Sequence, residues 1–440
     1  MSELSLTKKT GAAETLTFGL ARLATNIFSA FSAFYLMGFY TDVARLSPAA
    51  TAALLLILHL LSAAVEQAVG LLINRSHFKN GKYRPYFKWC ALPFAVSLIM
   101  LGLTPYIGAV FQFAYAAITL LLCELWGSTL NTASLSMLPY LADDDVNRTR
   151  FVSYSNAGGI LAYLIVGTLM TPLAGFLGGG DSRAGFALTL SIFAVLTVPL
   201  HINAYRGLRE GRYPASSGAR PSVRDLWASI VKNKRIMLFL AGYCVYAMAD
   251  SFKGQTTYYY MIYNMGRPDL LPIIIMAGLL APLAIQPVIP RLLKWAGKEV
   301  LIVAGLFTAS AASLLMWAAG NRPWVLLACV VLYGAATAVA ANLVFTLLAS
   351  FADEIFKKNK LRVSEILTVS MGLSSKIGVA AASGIAPLTL SAFGYVAQNA
   401  AQSASALTGV QILFVFCAAV GMALAGLIFS RLKRKEDLPA

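Results

Sequence analysis

The hydrophobic positions of this chain run in blocks too long for the elements of a soluble core. Four blocks contain no Lys, Arg, Asp or Glu: Phe151–Gly180, Ala184–Tyr205, Pro323–Phe351 and Ile377–Ser430. A helix needs about 20 apolar residues to cross the hydrocarbon layer of a bilayer. The last block is long enough for two crossings, with Gln398–Ala404 (QNAAQSA) as the polar break between them. The pattern predicts twelve spanning helices, near 15–40, 48–74, 86–106, 109–141, 150–177, 184–205, 235–264, 268–294, 299–320, 323–353, 363–393 and 404–431. The expected class is therefore an all-α polytopic membrane protein, with no room for a sizeable soluble domain.

Composition agrees. Of 440 residues, 58% are hydrophobic and only 12% charged, against about a quarter charged in soluble domains. The mean hydropathy is +0.70. The net charge of +16 would suit nucleic acid if it were clustered on one surface, but its placement follows the loops. The odd loops hold only Arg45, Arg183, Arg267 and Arg322. Nearly all other cations fall on the opposite side: Asn74–Trp89 (NRSHFKNGKYRPYFKW), Arg148 and Arg150, Arg206–Arg235, Arg291–Lys298, Lys357–Arg362 and Arg431–Lys435. That is the positive-inside bias. It places both termini in the cytoplasm and excludes nucleic acid as a partner. The stretch MSELSLTKKTGAAETLTFG has no apolar core before a small-residue cleavage site, so the first helix is expected to stay as an anchor. The five cysteines all fall in predicted helices without CxxC spacing. They read as small buried apolar residues, with no disulfide or metal role.

The basic loops also repeat. Gly297-Lys298 follows Gly81-Lys82 by 216 residues, and Lys360 and Arg362 follow Arg148 and Arg150 by 212. The expected organisation is a six-helix half over 1–205, a cytoplasmic linker over 206–233 containing RYPASSGARPS, and a second six-helix half over 234–440. Two such pseudo-repeat halves are the layout of major facilitator transporters, which rock about a midplane site.

Several segments carry a closer resemblance: FGLARLATN, FYLMGFYTDVARLSPAA, GLLINRSHFKNGKYRPYFKW, SLSMLP, GFLGGGDSRAGF and Lys376 within SMGLSSKIG. Over about 16–430 the chain resembles the glycoside–pentoside–hexuronide:cation symporter family. The resemblance implies a cytoplasmic latch in the loop after helix 2, to which Arg75, Lys82 and Arg84 would belong. The latch ordinarily begins with an acid, and Asn74 stands there. It also implies a cation site built on two acids one turn apart on helix 2, where this chain has Ser62 and Glu66. The family's sugar-binding acids on helices 1 and 4 and its arginine on helix 5 match Asn26, Asn131 and Asn156, and a ring-stacking aromatic matches Leu135. Glu66 and Lys376 are retained.

Ionisable groups inside the membrane are costly and mark pathways. Away from helix ends they are Arg22, His59, Glu66, Glu124, Asp250, Lys253 and Lys376. Each has a plain structural alternative. Asp250 and Lys253 share a helix face and can neutralise each other. Arg22 and Glu124 either pair between helices 1 and 4 or line the pathway, and Arg22 can also snorkel. His59 reads as packed. Glu66 either carries a proton, with a pKa raised by desolvation, or bridges to Lys376 or Arg22. Thr256–Tyr260 (TTYYY) suits sugar rings or an interfacial belt.

The function expected is secondary transport of a small polar organic solute by alternating access. The neutral residues at the sugar-binding positions, with Arg22, Lys253 and Lys376 supplying positive charge, favour an anionic glycoside such as a uronide. The expected substrate-binding set is Arg22, Asn26, Glu124, Asn131, Asn156 and Lys376, with Ser62 and Glu66 as the coupling pair. The coupling ion is expected to be a proton, or absent, rather than sodium, because Glu66 alone compensates poorly for dehydrating an ion. No cofactor or metal is expected, and the partners are the solute and the lipid bilayer, with the chain a monomer in the bacterial inner membrane. A transporter of an amphiphile such as a lysolipid is the alternative within transport. A non-transporting membrane sensor is the alternative of another class, and it would need an output domain that this chain does not offer. A membrane enzyme is opposed by the chemistry present: three histidines (His59, His77, His201), no HExxH and no GxSxG.

Overall fold

The computed structural model describes residues 11–75, 81–141, 145–210, 233–286, 288–320, 322–359, 364–397 and 402–432. Among these every regular element is helical, as expected of backbone that must satisfy its own hydrogen bonds in lipid. The helices are α1 (Ala12–Phe34), α2 (Pro48–Arg75), α3 (Arg84–Gly102), α4 (Ala109–Leu141), α5 (Asp145–Gly178) and α6 (Ser182–Gly207), followed by α7 (Lys234–Asn264), α8 (Pro268–Ile285), α9 (Lys298–Ala319), α10 (Pro323–Asn359), α11 (Ser364–Ala392) and α12 (Ala404–Ser430). Among the described residues eleven helices are long and apolar enough to span, or twelve when α1 and its continuation Leu36–Val43, bent by 64°, count as one. The bend falls at Tyr35, whose hydroxyl donates to the Gly167 carbonyl of α5 at 2.7 Å. Most helices match the expected bounds within a few residues. The exception is α8, which stops at Ile285 rather than near 294. The sequence beyond it carries Pro287 and Pro290, which cannot donate to a helical ladder.

By internal contacts the chain forms two units. One comprises Met1–Leu46 and Leu61–Ser217, the other Ser47–Leu60 and Gly218–Ala440. The first half of α2 thus sides with the second unit, where Leu56 lies against Gly384 of α11. Most of the 206–233 joint lies outside the described residues.

The repeat is plainer in the backbone than in the loops. In the first unit α1 packs on α5 and α6, and α3 packs on α4 and α6; in the second, α7 packs on α11 and α12, and α9 on α10 and α12. Each pairing recurs six helices later. The first helix of each half also ends alike. The chain widens into π-helical turns at Phe39–Val43 and Tyr260–Asn264, then turns left-handed at Arg45 (φ 61°) and Gly266 (φ 62°). Ala44 N–H bonds to Phe39 C=O and Leu46 N–H to Tyr40 C=O, and the same bonds recur from Met265 to Tyr260 and from Arg267 to Met261. Side-chain crowding is likewise relieved at one helix crossing in each half. A Cβ on Gly158 of α5 would sit 2.0 Å from the Gly19 carbonyl of α1, and one on Gly378 of α11 would sit 2.3 Å from the Cys244 carbonyl of α7. Small residues let helix backbones approach this closely.

Candidate functional site

The Gly19–Gly158 crossing sets the polar face of α1. One and two turns on from Gly19, at helical spacing, stand Arg22 and Asn26. Arg22 Nη1 donates to Asn131 Oδ1 of α4 at 2.6 Å. Asn26 Nδ2 donates to the Arg22 carbonyl at 2.7 Å and lies beside Gly159 of α5. Arg22, Asn26 and Asn131 are therefore one connected group, and Tyr163 of α5 lies within electrostatic reach of the guanidinium. Arg22 Nε is buried and has no hydrogen-bond partner among the described residues. The expected alternative, an Arg22–Glu124 pair, does not form: the guanidinium's side-chain partner is a neutral amide. Glu124 is half-buried two turns before Asn131 on the same helix, and Asn156 is exposed on α5. Behind this group, Thr25 hydrogen-bonds with His201 Nε2 of α6 at 3.1 Å. The imidazole is fully buried and stacked on Phe87.

On α2, Ser62 is buried and Glu66, one turn later, is half-buried. In the second unit, Nδ1 of His59 lies 2.7 Å from the Leu55 carbonyl, and its ring is within electrostatic reach of the half-buried Lys376.

The second unit places its charges differently. Lys253 of α7 is buried. Its ammonium donates to the Phe414 carbonyl at 3.1 Å and to the Met316 sulfur, and it lies 3.7 Å from the Phe414 ring centroid and 5.2 Å from that of Tyr333. Cation–π contacts of this kind help offset desolvation. Asp250, one turn earlier, instead accepts from the Tyr333 hydroxyl of α10 at 3.2 Å. At three residues' spacing these two charges could neutralise each other directly; among the described residues they form no ion pair.

In the loop expected to hold the latch, the contacts come from an unexpected residue. Glu210, just past α6, receives the backbone N–H groups of Lys82, Tyr83 and Arg84 at 2.7, 2.7 and 2.6 Å. A carboxylate at a helix N-terminus meets unsatisfied donors and the positive end of the helix dipole. Arg84 Nε donates to the Tyr205 carbonyl, and its guanidinium stacks 4.8 Å from the Tyr205 ring. Tyr83 is packed against Tyr140 with ring centroids 5.3 Å apart. Burial, then Tyr140, then the Glu210 charge push its phenol up to about 12. Lys82 and Arg84 are thus locked onto the end of α6. The side chain of Arg75 lies outside the described residues.

Comparison with known proteins decides the family. A family model described as MFS/sugar transport protein matches residues 17–435. The chain belongs to that family. It is 27% identical over 430 residues to the isoprimeverose transporter of Lactiplantibacillus pentosus, covering 96% of this chain and 89% of the relative. It is 23% identical over 424 residues to a putative sulfoquinovose importer of Escherichia coli (strain K12), covering 95% and 90%. Among solved structures, the nucleoside transporter NupG superposes with a TM-score of 0.68 at 13% identity, covering 97% of this chain and all of that one. That last likeness speaks to the fold alone. The protein is an integral membrane secondary transporter of a small organic solute, and not an enzyme.

Sequence reasoning missed three contributors. Tyr333 stands in an uncharged apolar run and has no mark to separate it from a packing tyrosine. His201 also lies in a charge-free block. Glu210 did carry a signal: it is an acid in the basic run that opens at Arg206, close behind the end of a predicted span.

Proposed function

We propose that this transporter moves a glycoside-class solute bearing an acidic group across the bacterial inner membrane by alternating access, acting as a monomer with both termini cytoplasmic. One observation carries the reading. Arg22 is held by the neutral amide of Asn131, so no carboxylate among the described residues cancels its charge, and one guanidinium N–H is left without a partner. A planar guanidinium recognises carboxylates and sulfonates through parallel hydrogen bonds. A relative is named for sulfoquinovose, a sulfonated sugar by its name. Asn26, Glu124, Asn131, Asn156 and Lys376 are the proposed companions of Arg22. Coupling is assigned to a proton through Glu66, with Ser62 beside it, or to no ion.

Counterflow in proteoliposomes tests this. Methyl glucuronide should exchange and methyl glucoside should not, with lysolipid as a competitor control. Arg22→Gln should abolish the exchange while Arg22→Lys keeps part of it. Exchange of the neutral glycoside with Arg22→Gln unimpaired would overturn the reading. An inward pH gradient should accelerate uptake in the wild type but not in Glu66→Gln, and strong stimulation by sodium at fixed pH would reassign the ion. Reporter fusions at Gly179 and Ser217 should lie on opposite sides of the membrane.

A further inference from the structure

Asp250 sits in the middle of α7 with protein packed around its carboxylate, yet the residue as a whole is exposed. Such a carboxylate cannot face hydrocarbon, since an ionisable group at that depth faces the protein interior or water. Its natural neutraliser, Lys253, is one turn away, with two of its three donors taken by the Phe414 carbonyl and the Met316 sulfur. Among the described residues, the side chain that donates to Asp250 is a phenol, Tyr333, and it meets only Oδ1. Oδ2 therefore keeps its lone pairs for something else.

What surrounds the carboxylate says what that is. Tyr246 and Tyr243 lie one and two turns before Asp250 on the same helix. Their rings stack on each other with centroids 5.7 Å apart and planes 30° apart. Both are half-exposed, and both lie within electrostatic reach of Asp250. Tyr243 is further tied to Ser375 of α11. A carboxylate with a free oxygen accepts hydrogen bonds from adjacent hydroxyls, and charge-assisted bonds of this kind are about twice as strong as neutral ones. Partly open aromatic rings offer flat apolar faces to the C–H face of a sugar ring, while their phenols stay hydrated. An inorganic cation would want several oxygen ligands, and the side-chain contact seen at this carboxylate is a phenol O–H donor, which competes with a cation.

We propose that Asp250, backed by Tyr333 and flanked by Tyr243 and Tyr246, is a hydroxyl-binding subsite for the sugar ring of the transported solute. The inference rests on the glycoside reading but not on the solute's charge. It concerns the ring hydroxyls alone and makes no use of the residues assigned to the acidic group. Tyr333 holds the carboxylate in one rotamer and leaves its second oxygen to the ligand.

The test compares methyl glucuronide and methyl glucoside with their monodeoxy analogues, by equilibrium binding to the purified full-length protein. The wild type should bind at least one parent sugar about tenfold more tightly than one of its deoxy analogues, the discrimination expected of one charge-assisted hydrogen bond. Asp250→Asn should erase that discrimination, whereas a merely structural role would weaken parent and deoxy sugars alike. Tyr333→Phe, which leaves the carboxylate in place, should reduce the discrimination two- to fivefold and provides the reading if Asp250→Asn does not fold. Unchanged discrimination in the folded variants overturns the subsite. So does failure of every hydroxylated probe to bind the wild type, or a changed pH dependence of uptake with discrimination intact, which would make Asp250 a proton carrier. If methyl glucoside binds as tightly as the glucuronide while Asp250→Asn still erases discrimination, the acidic-solute reading fails and the subsite stands.

Discussion

The two six-helix halves share their backbone devices and differ in almost all their chemistry. Both end their first helix in π turns and a left-handed residue, and both cross a helix pair on a glycine. The charges then diverge. The first half holds a cation, Arg22, on a neutral amide. The second holds a carboxylate, Asp250, on a phenol and wraps its cation, Lys253, in aromatic faces and a carbonyl. Backbone constraints admit few solutions, because a crossing carbonyl leaves no room for any Cβ. Side chains lining a water-accessible face have many solutions and follow the solute. The comparison teaches where to look for specificity: at positions where the halves disagree.

The largest expected effect breaks the shared part. Gly158→Leu and Gly378→Leu each force a side chain into a backbone carbonyl that cannot yield without separating two helices. Overpacking a core costs about 1–3 kcal/mol when side chains can adjust, and here the obstacle is backbone. Both variants should lose most of the folded protein, measured as monodisperse yield in size-exclusion chromatography. A variant of one half that folds normally while its counterpart fails would break the equivalence.

The second prediction concerns two cations within the helices, the half-buried Arg22 and the buried Lys253. Arg22→Met should retain a fold and lose transport of acidic glycosides, because the guanidinium is assigned to the solute. Lys253→Met should retain transport, with a thermal midpoint equal to or above the wild type. Replacing a buried charge by an apolar side chain of similar volume is often neutral or stabilising, and Met fits among Met316 and Phe414. Loss of transport in Lys253→Met, with the fold intact, would make the second cation functional too.

A smaller effect sits at the N-terminus of the third helix of each half, where the halves differ again. The N-terminus of α3 is capped by the Glu210 carboxylate, whereas α9, its counterpart, begins on Gly297 with no side-chain cap. Glu210→Gln should cost about 1–2 kcal/mol, the scale of an anion at a partly buried helix N-terminus. Differential scanning calorimetry would read it as a drop of a few degrees. The Tyr83 phenol beside it, raised to about 12, gives a pH signature. Its folded pKa lies above the value near 10 of a free tyrosine, so its contribution is fully present below pH 10. That contribution is lost as pH rises from about 10 to 12, because the unfolded chain releases the proton first. Tyr83→Phe should flatten the midpoint-versus-pH curve over that window, and an unaltered curve would refute the assignment.

The sequence makes the fold legible because its information is carried by block length. Charge-free runs of spanning length and the sidedness of Lys and Arg need no tertiary knowledge. The site is legible only in part. Arg22, Asn26 and Asn131 are identifiable as polar residues in apolar helices, and the structure brings them together. Their partners are not identifiable, since Arg22 has a carboxylate, Glu124, and an amide, Asn131, on the same facing helix. Similarly, the three-residue spacing of Asp250 and Lys253 invites a pair. Among the described residues no such pair forms, and Lys253 reaches the carbonyl of Phe414 in the π-widened stretch Ile412–Cys417 of α12, which hydropathy does not reveal.

The smallest expected effect sharpens the comparison at its most exact match. Arg45 and Gly266 hold the same left-handed conformation, at φ 61° and 62°, and close the same turns with the same hydrogen bonds. Glycine reaches this region freely, whereas a side chain pays roughly 1–2 kcal/mol there. The first half therefore carries a strain that the second avoids. Gly266→Arg should transfer that strain and destabilise the protein by about 1 kcal/mol, a shift of the order of 2 °C in the thermal midpoint for a chain of this size. Arg45→Gly should stabilise by less than the full backbone term, since it also removes the contacts that the arginine makes. If Gly266→Arg left the midpoint unchanged, the two caps would not be energetically equivalent. The repeat would then hold in geometry without holding in the energy that maintains it.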